Sequence, residues 1–110
     1  MEKTSLAELT EQHLAAARTA SGGRSAHTVL GGHAATLRQT LIALAAGQQL
    51  DEHESPGEAT LQVLRGRVRL VAGADSADAS TGELLVIPDA RHSLDALQDS
   101  VVLLTVAKTA

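Results

Sequence analysis

The sequence contains no phenylalanine, tyrosine or tryptophan, no cysteine, and only two prolines among its 110 residues. Without aromatic rings it lacks the stacking platforms on which single-stranded nucleic acid is usually held. The core is left to Leu, Val, Ile and Ala, which are smaller than the aromatics that dominate many cores. The absence of cysteine excludes a disulfide framework, a thiolate nucleophile and a thiolate metal site. A formal net charge of −4 is the wrong sign for a nucleic-acid or anionic-membrane partner. No apolar run approaches the ~20 residues that span a bilayer. Met1-Glu2-Lys3-Thr4-Ser5 leads into a polar helical pattern and not into the apolar stretch of a signal peptide. The expectation is a cytoplasmic protein with neither nucleic acid nor membrane as partner.

At 44% hydrophobic and 20% charged, the composition is that of an ordinary globular chain, and the length suits one domain. Ser5-Leu6-Ala7-Glu8 has the form of a capping box, with Ser5 as N-cap. Leu6, Leu9, His13, Leu14 and Ala17 then recur at helical spacing, and Gly22-Gly23 supply a stop, which predicts a helix from about Leu6 to Ala20. The stretch from Ala35 to Ala46 reads both ways. Its propensity is helical, with Leu37, Leu41 and Leu44 on one face, yet it can also be divided with period two.

From Thr60 onward strands dominate. Leu61 and Val63 alternate with polar neighbours, as do Val68 and Leu70 after Arg65-Gly66, and this is a hairpin signal. Gly73 to Gly82 is rich in turn formers and reads as a loop. Leu84 to Ile87 is a short apolar strand ended by Pro88. His92, Leu94 and Ala96 alternate, and Val101 to Val106 forms a final buried strand. Many short strands at regular spacing indicate a sandwich or barrel.

Two glycine-bracketed segments carry a resemblance. Gly47 is followed by five residues and then His53-Glu54-Ser55, Pro56-Gly57-Glu58, Ala59, six further residues and Gly66. Gly82 is followed by five residues, Pro88 and a short turn to His92. Together they resemble the two motifs of the cupin superfamily, across roughly Thr36 to Val106. The resemblance implies an all-β fold, a small cupin-like double-stranded β-helix (jelly-roll) barrel with one N-terminal α-helix. It divides the chain into a helix and linker at 1–24 and a barrel at 25–110, and it turns Ala35 to Ala46 into a strand against its helix propensity. It also implies a pocket in the barrel mouth and, often, a homodimer.

In that family two histidines and a glutamate of the first motif, with one histidine of the second, bind a divalent metal. Imidazole and carboxylate donors suit Fe, Mn, Ni or Zn. His53 matches the first ligand and His92 the last. Ser55 stands at the second histidine's position and Ala59 at the glutamate's. Glu58 is one position early, on the opposite face of a regular strand, unless the Pro56-Gly57 turn shifts the register. The resemblance therefore gives His53, Ser55 and His92 as pocket residues, and His53, His92 and Glu58 as candidate ligands of a weakly held metal.

Other residues have plainer readings. His13 is a helix-packing residue, and the spacing of His27 and His33 fits no metal motif. Arg65, Arg67 and Arg69 cluster near the expected turn, either as an anion patch or as a charged strand face that discourages edge pairing. Ser93 beside His92 makes no nucleophile pair, because strand neighbours face opposite ways. Two functions follow: a small-molecule binding or sensing module with a degenerate metal site, or a metal-dependent enzyme, oxygenase- or isomerase-like, acting on a small polar substrate. A homodimer is expected, since an aromatic-free core gains from further burial and the leucine stripe of the helix needs a surface.

Overall fold

A computed structural model describes residues 1–54 and 57–108. Among these described residues one helix, α1 (Leu6–Thr19), precedes nine strands. In chain order these are β1 (Arg24–Leu30), β2 (Leu37–Leu44), β3 (Gln49–His53), β4 (Gly57–Arg65) and β5 (Arg67–Ala72). They continue with β6 (Asp75–Ser80), β7 (Leu84–Val86), β8 (His92–Ala96) and β9 (Ser100–Lys108). They form a five-stranded sheet in the order β1-β2-β9-β4-β7 and a four-stranded sheet in the order β3-β8-β5-β6, with all pairings antiparallel.

The helix begins as its sequence indicates, with the Ser5 hydroxyl accepting from the Glu8 N–H at 3.2 Å. Its stripe lies on the outer face of the five-stranded sheet, where Leu14 and Ala17 pack with Leu41, Ala43, Val101 and Leu103. On the other face of the same strands, Leu44, Val102 and Val106 join Leu61, Val63, Val68, Leu70 and Leu94 between the sheets. β9, and the second half of β2 from Leu41 to Leu44, are therefore covered on both sides. This accounts for the ambiguity of Ala35 to Ala46: where the strand is covered on both faces, from Leu41 to Leu44, every position is apolar and the alternation is lost. The segment is strand β2, as the resemblance implies.

Three polar contacts fasten the helix to the barrel. Arg18 of its last turn donates to Asp99 at 2.8 Å, and the same carboxylate accepts the Ala46 N–H at 2.8 Å. Both hold the Asp99 carboxyl below the usual carboxylate range, Arg18 more strongly. Glu11 pairs with Arg65 at the end of β4. His13, half-buried, sets its Nδ1 2.7 Å from the Ser25 hydroxyl and its ring 5.4 Å from that of His27, so it packs the helix onto β1.

One stretch is newly assigned and three sequence expectations are corrected. The segment 24–30, unassigned above, is edge strand β1. Gly73 to Gly82 contains a strand, β6: its side chains are mostly exposed, only Ala79 is buried, and its backbone pairs with β5 from Asp75 to Ser80. Turn-forming residues are tolerated there because an edge strand asks little of its outer face.

The Arg65-Gly66 pair is not a hairpin. β4 pairs with β9 and β7, whereas β5 pairs with β8 and β6, so the chain crosses from one sheet to the other at this corner. Val63 and Val68 alternate alike because both sheets face one core. Arg67 and Arg69 lie on the outer face of β5, an interior strand, and both contact Asp78 of β6, Arg69 at 2.7 Å. They are cross-strand partners and not edge guards.

The corner depends on Gly66. Its φ is +89°, and a Cβ there would strike the Asp99 carbonyl and the Ser100 hydroxyl. That hydroxyl, in turn, accepts the Arg67 N–H at 3.1 Å. Gly66→Ala is expected to cost about 2 kcal/mol or more, because strained backbone and a backbone clash act together. Thermal unfolding should register a fall in Tm on the order of 10 °C. Gly32→Ala, where an added methyl meets open space, is the control and should change little.

Candidate functional site

His92 starts β8, on the face that Leu94 and Ala96 turn into the barrel core, and is only 4% exposed. His53 ends β3, the edge strand beside β8. Leu50 is opposite Leu94, yet His53 is opposite His92: three residues on β3 span what two residues span on β8. Without that extra residue, alternation from inward Leu50 would turn His53 outward. The bulge restores the phase, and bulges commonly re-aim a side chain in this way.

The two imidazoles meet edge to face with ring centres 4.4 Å apart. Each is anchored to the backbone two residues before it. His53 Nδ1 lies 3.0 Å from the Asp51 carbonyl and His92 Nδ1 2.9 Å from the Ala90 carbonyl. A carbonyl oxygen only accepts, so both Nδ1 atoms carry the hydrogen and each neutral ring presents Nε2 as an acceptor. Neither Nε2 has a hydrogen-bond partner among the described residues. The same second-atom hydrogen bond orients metal-ligating histidines in general.

The other expected site residues fall elsewhere or lie beyond description. Ser55 lies outside the described residues. Glu58 is exposed on β4, opposite Ala107 of β9, and is not brought to the histidine pair. Neighbouring Ala59 is 6% exposed and packs into the barrel core. The regular pleat through 57–63 thus keeps the early carboxylate on the outside. Among the described residues no three His, Cys, Asp or Glu side chains group to hold a metal. Two imidazoles fall short of the three protein donors usual in a catalytic metal site. Ser93 is 8% exposed and on the opposite face of β8 from His92, so no nucleophile pair exists.

Several openings lie on the surface of the described residues, and two are the larger. One of about 560 Å³ lies at the end of the β4–β7 ladder, bordered by Glu58, Thr60, Ile87 and Asp89. A second of about 340 Å³ lies between β5, β6 and β7, bordered by Leu70, Asp75, Leu85 and Pro88. Neither is lined by His53 or His92.

Sequence reasoning missed Arg91, which precedes His92 and reaches both residues flanking His53. Its Nε donates to Glu52 at 2.9 Å and its Nη1 to Glu54 at 3.3 Å. The alternation of charge in Glu52-His53-Glu54 against Arg91-His92 was the available signal.

No family model and no curated protein matches the sequence. Solved structures do resemble it. An RmlC-like cupin protein from Desulfovibrio desulfuricans is 25% identical with a TM-score of 0.73, over 97% of this chain and 96% of that one. A conserved protein of unknown function from Streptococcus pyogenes is also 25% identical with a TM-score of 0.73, over 83% of this chain and 79% of that one. Salicylate 1,2-dioxygenase from Pseudaminobacter salicylatoxidans is 21% identical with a TM-score of 0.76, over 91% of this chain and 33% of that one.

The tautomers are directly measurable. Long-range ¹H–¹⁵N spectra above pH 8 should show Nδ1 protonated and Nε2 bare in both His53 and His92. An Nε2-protonated form of either ring would contradict the anchoring described.

Proposed function

We propose that this chain, a small cupin domain, is a binding or sensing module that takes a small polar molecule at the barrel mouth. The observation that supports the reading is the pair of facing imidazoles, 4.4 Å apart, with both Nδ1 atoms held by backbone carbonyls and both Nε2 atoms available. Two fixed acceptors, one on a buried residue and one on an exposed residue, suit a ligand that donates hydrogen bonds, such as a polyol or an amide. A divalent ion of the Fe, Mn, Ni or Zn type would be bound by His53 and His92 alone, and weakly, because affinity follows donor number and charge.

The alternative is a metal-dependent enzyme, oxygenase- or isomerase-like, on a small polar substrate. The dioxygenase neighbour brings it to mind, but that likeness spans a third of the neighbour's length and supports the fold. The enzyme reading requires a third donor beside the pair.

Metal addition separates the two. Wild type should lose added Ni²⁺ to a mild chelator and gain little Tm from it. Ser55→His with Ala59→Glu should retain Ni²⁺ and gain Tm, since a ligand bound only by the folded state stabilises it. Glu58→Gln should change neither. Tight binding by wild type, equal to the double variant, would favour the enzyme reading. Binding by neither protein would leave a metal-free pocket.

A homodimer is also proposed, on different support. The stripe of α1 is satisfied within its own chain, so it supplies no argument. Edge strand β7, however, exposes Leu84 by 59% and Val86 by 76%. A second copy pairing there would cover both and close an open edge. Sedimentation at micromolar concentration should give twice 11.3 kDa, and a mass of 11.3 kDa would contradict this.

A further inference from the structure

We propose that Arg91 is a positioning residue: its double ion pair to Glu52 and Glu54 clamps the bulged end of β3 and so holds His53 against His92. The inference rests on the reading of the histidine pair as the binding site and adds what keeps that pair assembled.

The need for a clamp follows from the ladder. β3 is an edge strand with a neighbour on one side only. Its pairing with β8 runs through Gln49 and Leu50, breaks at the bulge and resumes only at His53. The bulge that turns His53 inward therefore also interrupts the pairing that would hold it there. His53 is exposed, so packing does not fix it either.

Arg91 supplies the missing constraint from the opposite face. With His53 opposite His92, the next register position sets Glu54 opposite Arg91, with Glu52 its diagonal neighbour. The guanidinium donates to both carboxylates, at 2.9 Å and 3.3 Å. Those carboxylates lie one residue before and one after His53, so the contact brackets the imidazole in sequence. Alternation puts Arg91, Glu52 and Glu54 on the outer face and the two rings on the inner one. The clamp thus acts on the pair without occupying the mouth. Its planar fork matters, because a single point charge would reach one carboxylate at a time.

The test is Arg91→Gln in the full chain, read by the nuclear Overhauser effect between the His53 and His92 rings. A Ni²⁺ titration is the second measurement. Wild type should show the ring-to-ring effect at low salt. The variant should weaken it, broaden the His53 signals and leave those of His92 in place. Ni²⁺ affinity should fall about two- to fivefold, the scale of one or two exposed ion pairs. Arg91→Lys should recover part of the loss, and about 1 M NaCl should reproduce it in wild type by screening.

An unchanged ring-to-ring effect in both Arg91→Gln and high salt would overturn the clamp while leaving the histidine pair intact. Absence of the effect in wild type would overturn the pair itself, and the clamp with it. If the variant fails to fold, the salt series on wild type decides alone: loss of the effect supports the clamp and its persistence overturns it.

Discussion

The structure depends on one strand, β9, that is covered on both faces. β9 lies between β2 and β4 in the five-stranded sheet, and its side chains alternate between two cores. Val101 and Leu103 meet the helix, while Val102 and Val106 meet the second sheet. Aliphatic residues of modest size suffice because each core is thin and is filled from both sides. Alanines at 17, 43, 59, 79 and 96 are buried where sheet and helix, or sheet and sheet, approach closely. The lack of aromatics is thus compatible with a well-packed domain. It spreads apolar burial over two shallow layers in place of one deep one.

That arrangement decides which parts of the fold were legible. Helix α1 could be read because its cap, stripe and glycine stop are local. β7, β8 and β9 could be read from short apolar or alternating runs. The segment Leu37 to Leu44 could not be settled by periodicity, since two-sided burial from Leu41 to Leu44 erases the period there, and only the family resemblance placed it. The corner at Gly66 was misread for a related reason. Two strands that face one core from opposite sheets alternate just as two strands of a hairpin do. What distinguishes them is the long-range seat of Gly66 against Asp99 and Ser100, which local sequence does not announce. β6 was hidden because an edge strand with one buried alanine carries almost no hydrophobic signal.

The site divides along the same line. His53 and His92 were legible from motif spacing, as was the uncertainty over Glu58, whose place one residue early put it on the outer face. The device that makes His53 usable was not legible. Counting residues from Leu50 points its side chain outward, and only the pairing of β3 with β8 reveals the extra residue that turns it in. Arg91 escaped notice because its partners lie thirty-seven and thirty-nine residues away in sequence, so the matching charges around the two histidines meet only once β3 pairs with β8.

A bulge on an edge strand thus carries the functional account: it faces two imidazoles toward each other and fixes their tautomers through neighbouring carbonyls, with no third donor beside them among the described residues. The most direct test is an experimental crystal structure of the untagged protein, measuring the separation of the two rings and the partner of each Nδ1. The account requires ring centres within a few tenths of an ångström of 4.4 Å, with Nδ1 of His53 on the Asp51 carbonyl and Nδ1 of His92 on the Ala90 carbonyl. An unbulged β3 with the His53 side chain turned to the outer face would contradict it.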